Sequence, residues 1–173
     1  MFGSLLAAMA LVASQDWLPA EPRPGETVRP GAFTLRLNDE QHPSVTMSVA
    51  GETPGTRLII SCDTRNRNGV IQVSFPERIS GPPRSEIRYS FDNGPEYRGR
   101  WIGGTGVIGG GGVIAIGGWR MGAFDDFFRR LRGTRSVRLS ALGPRRGWQE
   151  VAFSYDDPGP MLDEMNRRCR LNL

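Results

Sequence analysis

Short runs of alternating apolar and polar residues recur along the chain at the spacing of an all-β domain. Phe33-Thr34-Leu35-Arg36-Leu37 and Val45-Thr46-Met47-Ser48-Val49 place every second side chain on one face, the period of a strand with one side in a core. Arg57 to Cys62, Val70 to Phe75 and Ile87 to Phe91 continue the series. The last of these runs into Asp92-Asn93-Gly94-Pro95, a turn signal because Asn-Gly tolerates positive φ. Val137 to Leu142 and Trp148 to Tyr155 flank a Gly-Pro-Arg-Arg-Gly turn and form a hairpin. The period changes to 3.6 in two places only. Between Ala123 and Arg132, Phe124, Phe127, Phe128 and Leu131 make one stripe, with Asp125 and Asp126 at its start and arginines in its last turn. Gly133 closes that helix. The second helix begins at Pro160 and runs to about Arg170, with Leu162, Met165 and Cys169 on its apolar side. The pattern predicts a mainly β fold, a single-domain β-sandwich with two short helices.

One segment breaks the pattern. From Trp101 to Trp119, nine of nineteen residues are glycine and none is charged. Within it, Gly104-Thr105-Gly106-Val107-Ile108-Gly109 spells the dinucleotide fingerprint G-x-G-x-x-G. That chemistry needs a buried parallel strand before the first glycine and a helix opening at the third. Glu96-Tyr97-Arg98-Gly99-Arg100 is too charged for such a strand, and three more glycines follow Gly109, so the fingerprint is rejected. A membrane helix framed by tryptophans fits the length, but each glycine costs such a helix about 1 kcal/mol relative to alanine. What remains is a glycine-rich flap or hairpin, with Gly109 to Gly112 as its turn and Val113 to Ile116 as a short strand. Trp101, Gly109, Gly110, Gly111, Gly112 and Trp119 are its candidate interaction residues.

Phe2 to Val12 is an apolar run of signal-peptide length, and Val12-Ala13-Ser14 supplies small residues for cleavage before Gln15. The expected division is a signal peptide over 1–14, an extended Pro-rich lead-in over 15–31 and a β-sandwich domain over 32–173. The run is too short to span a bilayer. Export makes Cys62 and Cys169 a disulfide; in a reducing compartment they would be two buried thiols. A membrane span at residues 101–119 would separate these two cysteines, so span and disulfide exclude each other.

Composition narrows the chemistry further. All 22 basic residues are arginine, which removes a P-loop lysine, a Schiff-base lysine and a Ser-x-x-Lys pair. The formal charge of +4 is mild, and the arginines lack the interleaved aromatics of a nucleic-acid surface. No nucleic-acid partner is expected. The single histidine, His42, lies in an Asp-Glu-Gln-His-Pro turn, and no Gly-x-Ser-x-Gly elbow occurs. Two cysteines and one histidine make no tetrahedral zinc site. The carboxylate pairs Asp125/Asp126, Asp156/Asp157 and Asp163/Glu164 sit at helix starts or turns, where adjacent positions do not converge on one bond. The expectation is a protein without catalytic residues, cofactor or metal.

Over residues 56 to 170 the chain resembles small periplasmic proteins of Gram-negative bacteria, namely the accessory proteins of type VI secretion loci and, more distantly, the invasion-associated locus B family. The shared pattern is Cys62 closing an early strand, Tyr89-Ser90-Phe91-Asp92-Asn93-Gly94-Pro95, Trp101, the helix at Phe124 to Leu131, a strand ending Val151-Ala152-Phe153-Ser154-Tyr155, and a last helix carrying Cys169. The glycine-rich stretch departs from it. The resemblance implies an exported sandwich with one disulfide and a non-catalytic accessory role in the periplasm, or after secretion, with an envelope or secretion-apparatus protein as partner. Two rival readings remain: a membrane-associated protein using residues 101–119, and an enzyme whose site is not apparent from its motifs.

Overall fold

The computed structural model describes residues 31–37, 43–65, 69–77, 79, 84–105, 112–117, 122–143 and 147–171. The expected signal peptide, most of the Pro-rich lead-in, and His42 therefore lie outside the described residues. Among these, the chain forms strands β1 (Thr34–Leu37), β2 (Ser44–Ala50), β3 (Arg57–Asp63), β4 (Gly69–Phe75), β5 (Arg84–Phe91), β6 (Tyr97–Thr105) and β7 (Gly112–Gly117). Helix α1 (Gly122–Leu131), strands β8 (Ser136–Leu142) and β9 (Trp148–Ser154), and helix α2 (Gly159–Cys169) follow. All strand pairs are antiparallel, in the order β1-β2-β3-β4-β7-β6-β5-β8-β9.

This ladder folds over itself into a sandwich. One layer is β1 to β4; the other is β6, β5, β8 and β9; β7 joins them. The overlap is fixed by hydrogen bonds between residues remote in the ladder. Glu52 N–H, in the β2–β3 turn, donates to Ala152 O at 2.9 Å, and Ser154 Oγ donates to Glu52 Oε1 at 2.7 Å. Glu77 N–H, just past β4, donates to Gln149 Oε1 at 3.2 Å. Strand β9 thus crosses the ends of the first layer. Alternation fills the space between: Val45, Met47, Leu58, Ile60, Ile71 and Val73 from one layer meet Ile87, Leu139, Val151 and Phe153 from the other, all buried.

The two helices cover the opposite end. In α1 the expected stripe is entirely buried: Phe124, Phe127, Phe128 and Leu131 are at most 2% exposed. Gly133 takes φ +77°, the left-handed conformation that ends a helix. Phe127 sits among Tyr89, Phe91 and Trp101, with ring centroids 5.1–5.6 Å away. In α2, Leu162, Met165 and Cys169 face the core. Cys169 is joined to Cys62 of β3 in a disulfide, with Cα atoms 6.1 Å apart, and an Arg132–Asp163 ion pair links α1 to α2.

Tyr97 to Trp101, expected to be too charged for a central parallel strand, lies in β6, an antiparallel strand inside the sheet. The objection held for a parallel strand buried on both faces; an antiparallel strand alternates, and here Trp101 is buried while Arg98, Arg100 and Ile102 are exposed. The glycine-rich stretch, expected to be a flap or a hairpin, is an antiparallel hairpin of β6 and β7 where it is described. Val113 to Ile116 is the expected strand, but as β7 it pairs with β4 on one side and β6 on the other. The sheet turns from one layer to the other at β7 and β6, and glycine suits such a corner. Gly99 has a specific reason: a Cβ there would lie 3.2 Å from Trp101 Nε1, so glycine leaves room for the indole.

Candidate functional site

The outer faces of the two layers differ. By register, the first layer's outer face carries Arg36, Arg57 and Asp63 around buried Thr46, Ile59 and Ser61, whereas Glu86, Arg88, Arg98, Arg138 and Glu150 make the second more densely charged. The second face is laced by ion pairs, Arg98–Glu96 at 2.9 Å and Arg138–Glu150 at 3.2 Å. At its corner stands Trp148, the first residue of β9 and 39% exposed. Buried Val151 and Phe153 fix the parity of the strand, so Trp148 and Glu150 must point outward. The Arg88 guanidinium lies 3.8 Å from the centroid of the Trp148 ring, a cation–π stack. Arg88 Nε is buried there and makes no hydrogen bond among the described residues.

Beside Trp148 is an open recess of about 370 Å³ between Pro76–Glu77 and the Gly143–Gly147 closure of the β8–β9 hairpin, with Gln149 and Glu150 in its wall. The hairpin is closed by Gly143 N–H donating to Gly147 O at 2.7 Å. Gln149, held by the Glu77 amide, ties the hairpin to the end of β4. The recess therefore lies where the two layers meet, on backbone fixed from both sides.

A second polar cluster is internally satisfied. Arg130 stacks on Tyr97 at 4.1 Å, donates from Nη1 to Tyr97 Oη at 2.7 Å, and donates from Nε to Asp126 Oδ2 at 2.8 Å. Shifts in proton affinity run away from neutrality. Burial raises the Tyr89 and Tyr155 phenols. Hydrogen bonds from the Arg135 and Ser136 amides lower Asp92, the Arg132 side chain lowers Asp163, and Arg167 with Arg168 brings Glu164 to about 2. These phenols stay neutral and these carboxylates stay charged near pH 7, so none of the five is tuned for proton transfer there. Among the described residues no three His, Cys, Asp or Glu side chains gather where a metal ion could be held. No described helix is long and apolar enough to cross a membrane.

Of the residues expected on an interaction flap, Trp101 and Gly112 are among the described residues. Trp101 is 2% exposed and packs against Phe127 and Tyr89, so it serves the core. Gly112 is the first residue of β7, and Gly109, Gly110, Gly111 and Trp119 lie outside the described residues. Cys62 and Cys169 are paired as expected. Trp148, read from the sequence only as part of a hairpin, is an aromatic on the face opposite Val151 and Phe153 and follows directly on a glycine turn. Comparison of the chain with protein-family models, curated proteins and solved structures returns no match.

Proposed function

We propose that the protein is an exported, non-catalytic binding or accessory module of the Gram-negative cell envelope, acting with an envelope or secretion-apparatus protein. The observation that carries this is the core disulfide between β3 and α2, because such bonds persist in oxidising compartments and are rare where thiols are kept reduced. The apolar run ahead of Gln15 and the family resemblance point the same way.

The test is fractionation of the producing cell with thiol labelling and N-terminal sequencing of the mature chain. The expected product is soluble in the periplasm or medium, begins near Gln15 and has no titratable thiol before reduction. A chain that keeps residues 1–14 and titrates two thiols would sink the proposal.

A further inference from the structure

We infer that the recess beside Trp148 binds a neutral saccharide, with one pyranose ring stacked on the indole; this rests on the reading of the protein as an exported binding module and names the ligand class of its site. Trp148, at 39%, is the most exposed aromatic ring among the described residues. One side of it is covered by Arg88 at 3.8 Å. Arg88 does not line the recess and Trp148 does, so the recess meets the part of the ring that Arg88 leaves open. A partly exposed indole bordering a cavity favours a flat apolar partner, and polar Glu77, Gln149 and Glu150 in the same lining favour a partner rimmed with hydroxyl groups. A pyranose has both properties, a C–H face and a polar edge.

Charge argues for a neutral ligand. Glu77 and Glu150 line the recess. Against them stand Arg88 behind the indole and Arg138 on Glu150 at 3.2 Å. Both signs are present within reach, so neither an anion nor a cation meets a field of one sign. The volume of about 370 Å³ falls at the small end of ligand sites. The wall is also pre-ordered: Arg88 stacks on Trp148, Arg138 pairs with Glu150, and the Glu77 amide holds Gln149. Side chains already fixed in the free protein lose less freedom on binding.

The full chain is titrated with chitotetraose and with maltotetraose, following tryptophan fluorescence and heat. At least one should give a saturable signal with a dissociation constant in the millimolar range, as befits a shallow site. Trp148→Ala should weaken it by at least about tenfold, and Trp148→Phe, which keeps an aromatic face, by much less. Unchanged melting midpoints show that both variants are folded. No saturation by either sugar with the wild-type protein, or equal binding by folded Trp148→Ala, overturns the inference. Saturation by arginine amide alone also overturns it and makes the recess a cation site. Thiol titration keeps the two readings apart: an exported, disulfide-bonded protein that ignores both sugars refutes only the ligand, while free thiols refute the export reading whatever the sugars do.

Discussion

Replacing Gly69 with alanine tests how α1 is seated on the sandwich. Gly69 opens β4, and a Cβ added there would lie 2.3 Å from Cζ of Phe124 and 2.7 and 2.8 Å from its two Cε atoms. Carbon atoms rest about 3.5–4.0 Å apart, so the ring must retreat by more than about 1 Å. Phe124 is 1% exposed and packed beside Phe128, with centroids 5.8 Å apart, which leaves it nowhere to go without moving α1. Gly69 is not among the residues with positive φ, so alanine fits the backbone and the penalty is steric. Overpacking typically costs about 1–3 kcal/mol. The stiffer unfolded chain returns about 0.4–1 kcal/mol, leaving a net loss of about 1–2 kcal/mol.

The assay is urea unfolding of wild type, Gly69→Ala, Phe124→Leu and the double variant, compared at equal m-value. Phe124→Leu alone should cost about 1–2 kcal/mol, as ordinary core substitutions do. In the double variant the smaller side chain makes room for the methyl, so the two losses should fall short of additive by about 1 kcal/mol. A neutral or stabilising Gly69→Ala, or strict additivity, would refute the seating of Phe124 on Gly69.

Further outcomes can be checked with the same preparations. Replacing Cys62 and Cys169 together by alanine opens a loop of sequence separation 107 and should lower stability by about 4–5 kcal/mol on the chain-entropy account, read as a fall in urea midpoint matched by reduction of the wild type. Phe127→Ala should cost about 3–5 kcal/mol in the same melts, while Asp126→Asn, which breaks an exposed pair with Arg130 at 2.8 Å, should cost under about 1 kcal/mol. Asp92 Oδ1 accepts the Arg135 and Ser136 amides at 2.9 and 2.8 Å, and its proton affinity is lowered by them. Its stabilisation is therefore complete above the unfolded value of about 3.9 and fades as pH falls through the lower folded value, so Asp92→Ala should be less stable than wild type at pH 7 and the gap should close in melts below about pH 4. In hydrogen exchange, Val113 to Ile116 should be protected like the interior strands, because β7 is bonded to β4 and β6; rapid exchange there would return the segment to a flap.

What could be read from the chain is what local physics decides. Alternation marked β2, β4, β8 and β9 because each keeps one face in the core, and the Phe124–Leu131 stripe marked α1 for the same reason at another period. The turn after Phe91 was legible in place but not in detail. Positive φ falls on Asp92 and Asn93, at 46° and 58°, with Gly94 N–H closing on Phe91 O at 2.7 Å, one residue earlier than an Asn-Gly turn would be. Strand order was beyond reach: β4 pairs with β7 through contacts such as Ile71 with Ile116, and nothing local to either strand specifies that match.

Gly99, just ahead of the glycine-rich stretch, shows a second meaning of the residue. Glycine in a sequence signals freedom, which suggested a mobile flap or a hairpin; glycine in a packed sheet also signals lack of bulk. On the inward face of β6, Gly99 precedes Trp101, and the indole occupies the space where a Cβ on Gly99 would press at 3.2 Å. Trp101 then meets Phe127 at 5.6 Å and Tyr89 at 6.0 Å, at the junction of sheet and α1. So Trp101 fills the corner at which the two layers part, and the glycine beside it is what admits so large a ring. The same parity that turns Trp101 inward on β6 turns Trp148 outward on β9. Two tryptophans at strand positions, alike in composition, are assigned to core and to surface by the face on which their alternate neighbours are buried. A functional aromatic in such a fold is therefore found by comparing each ring with the buried set of its own strand.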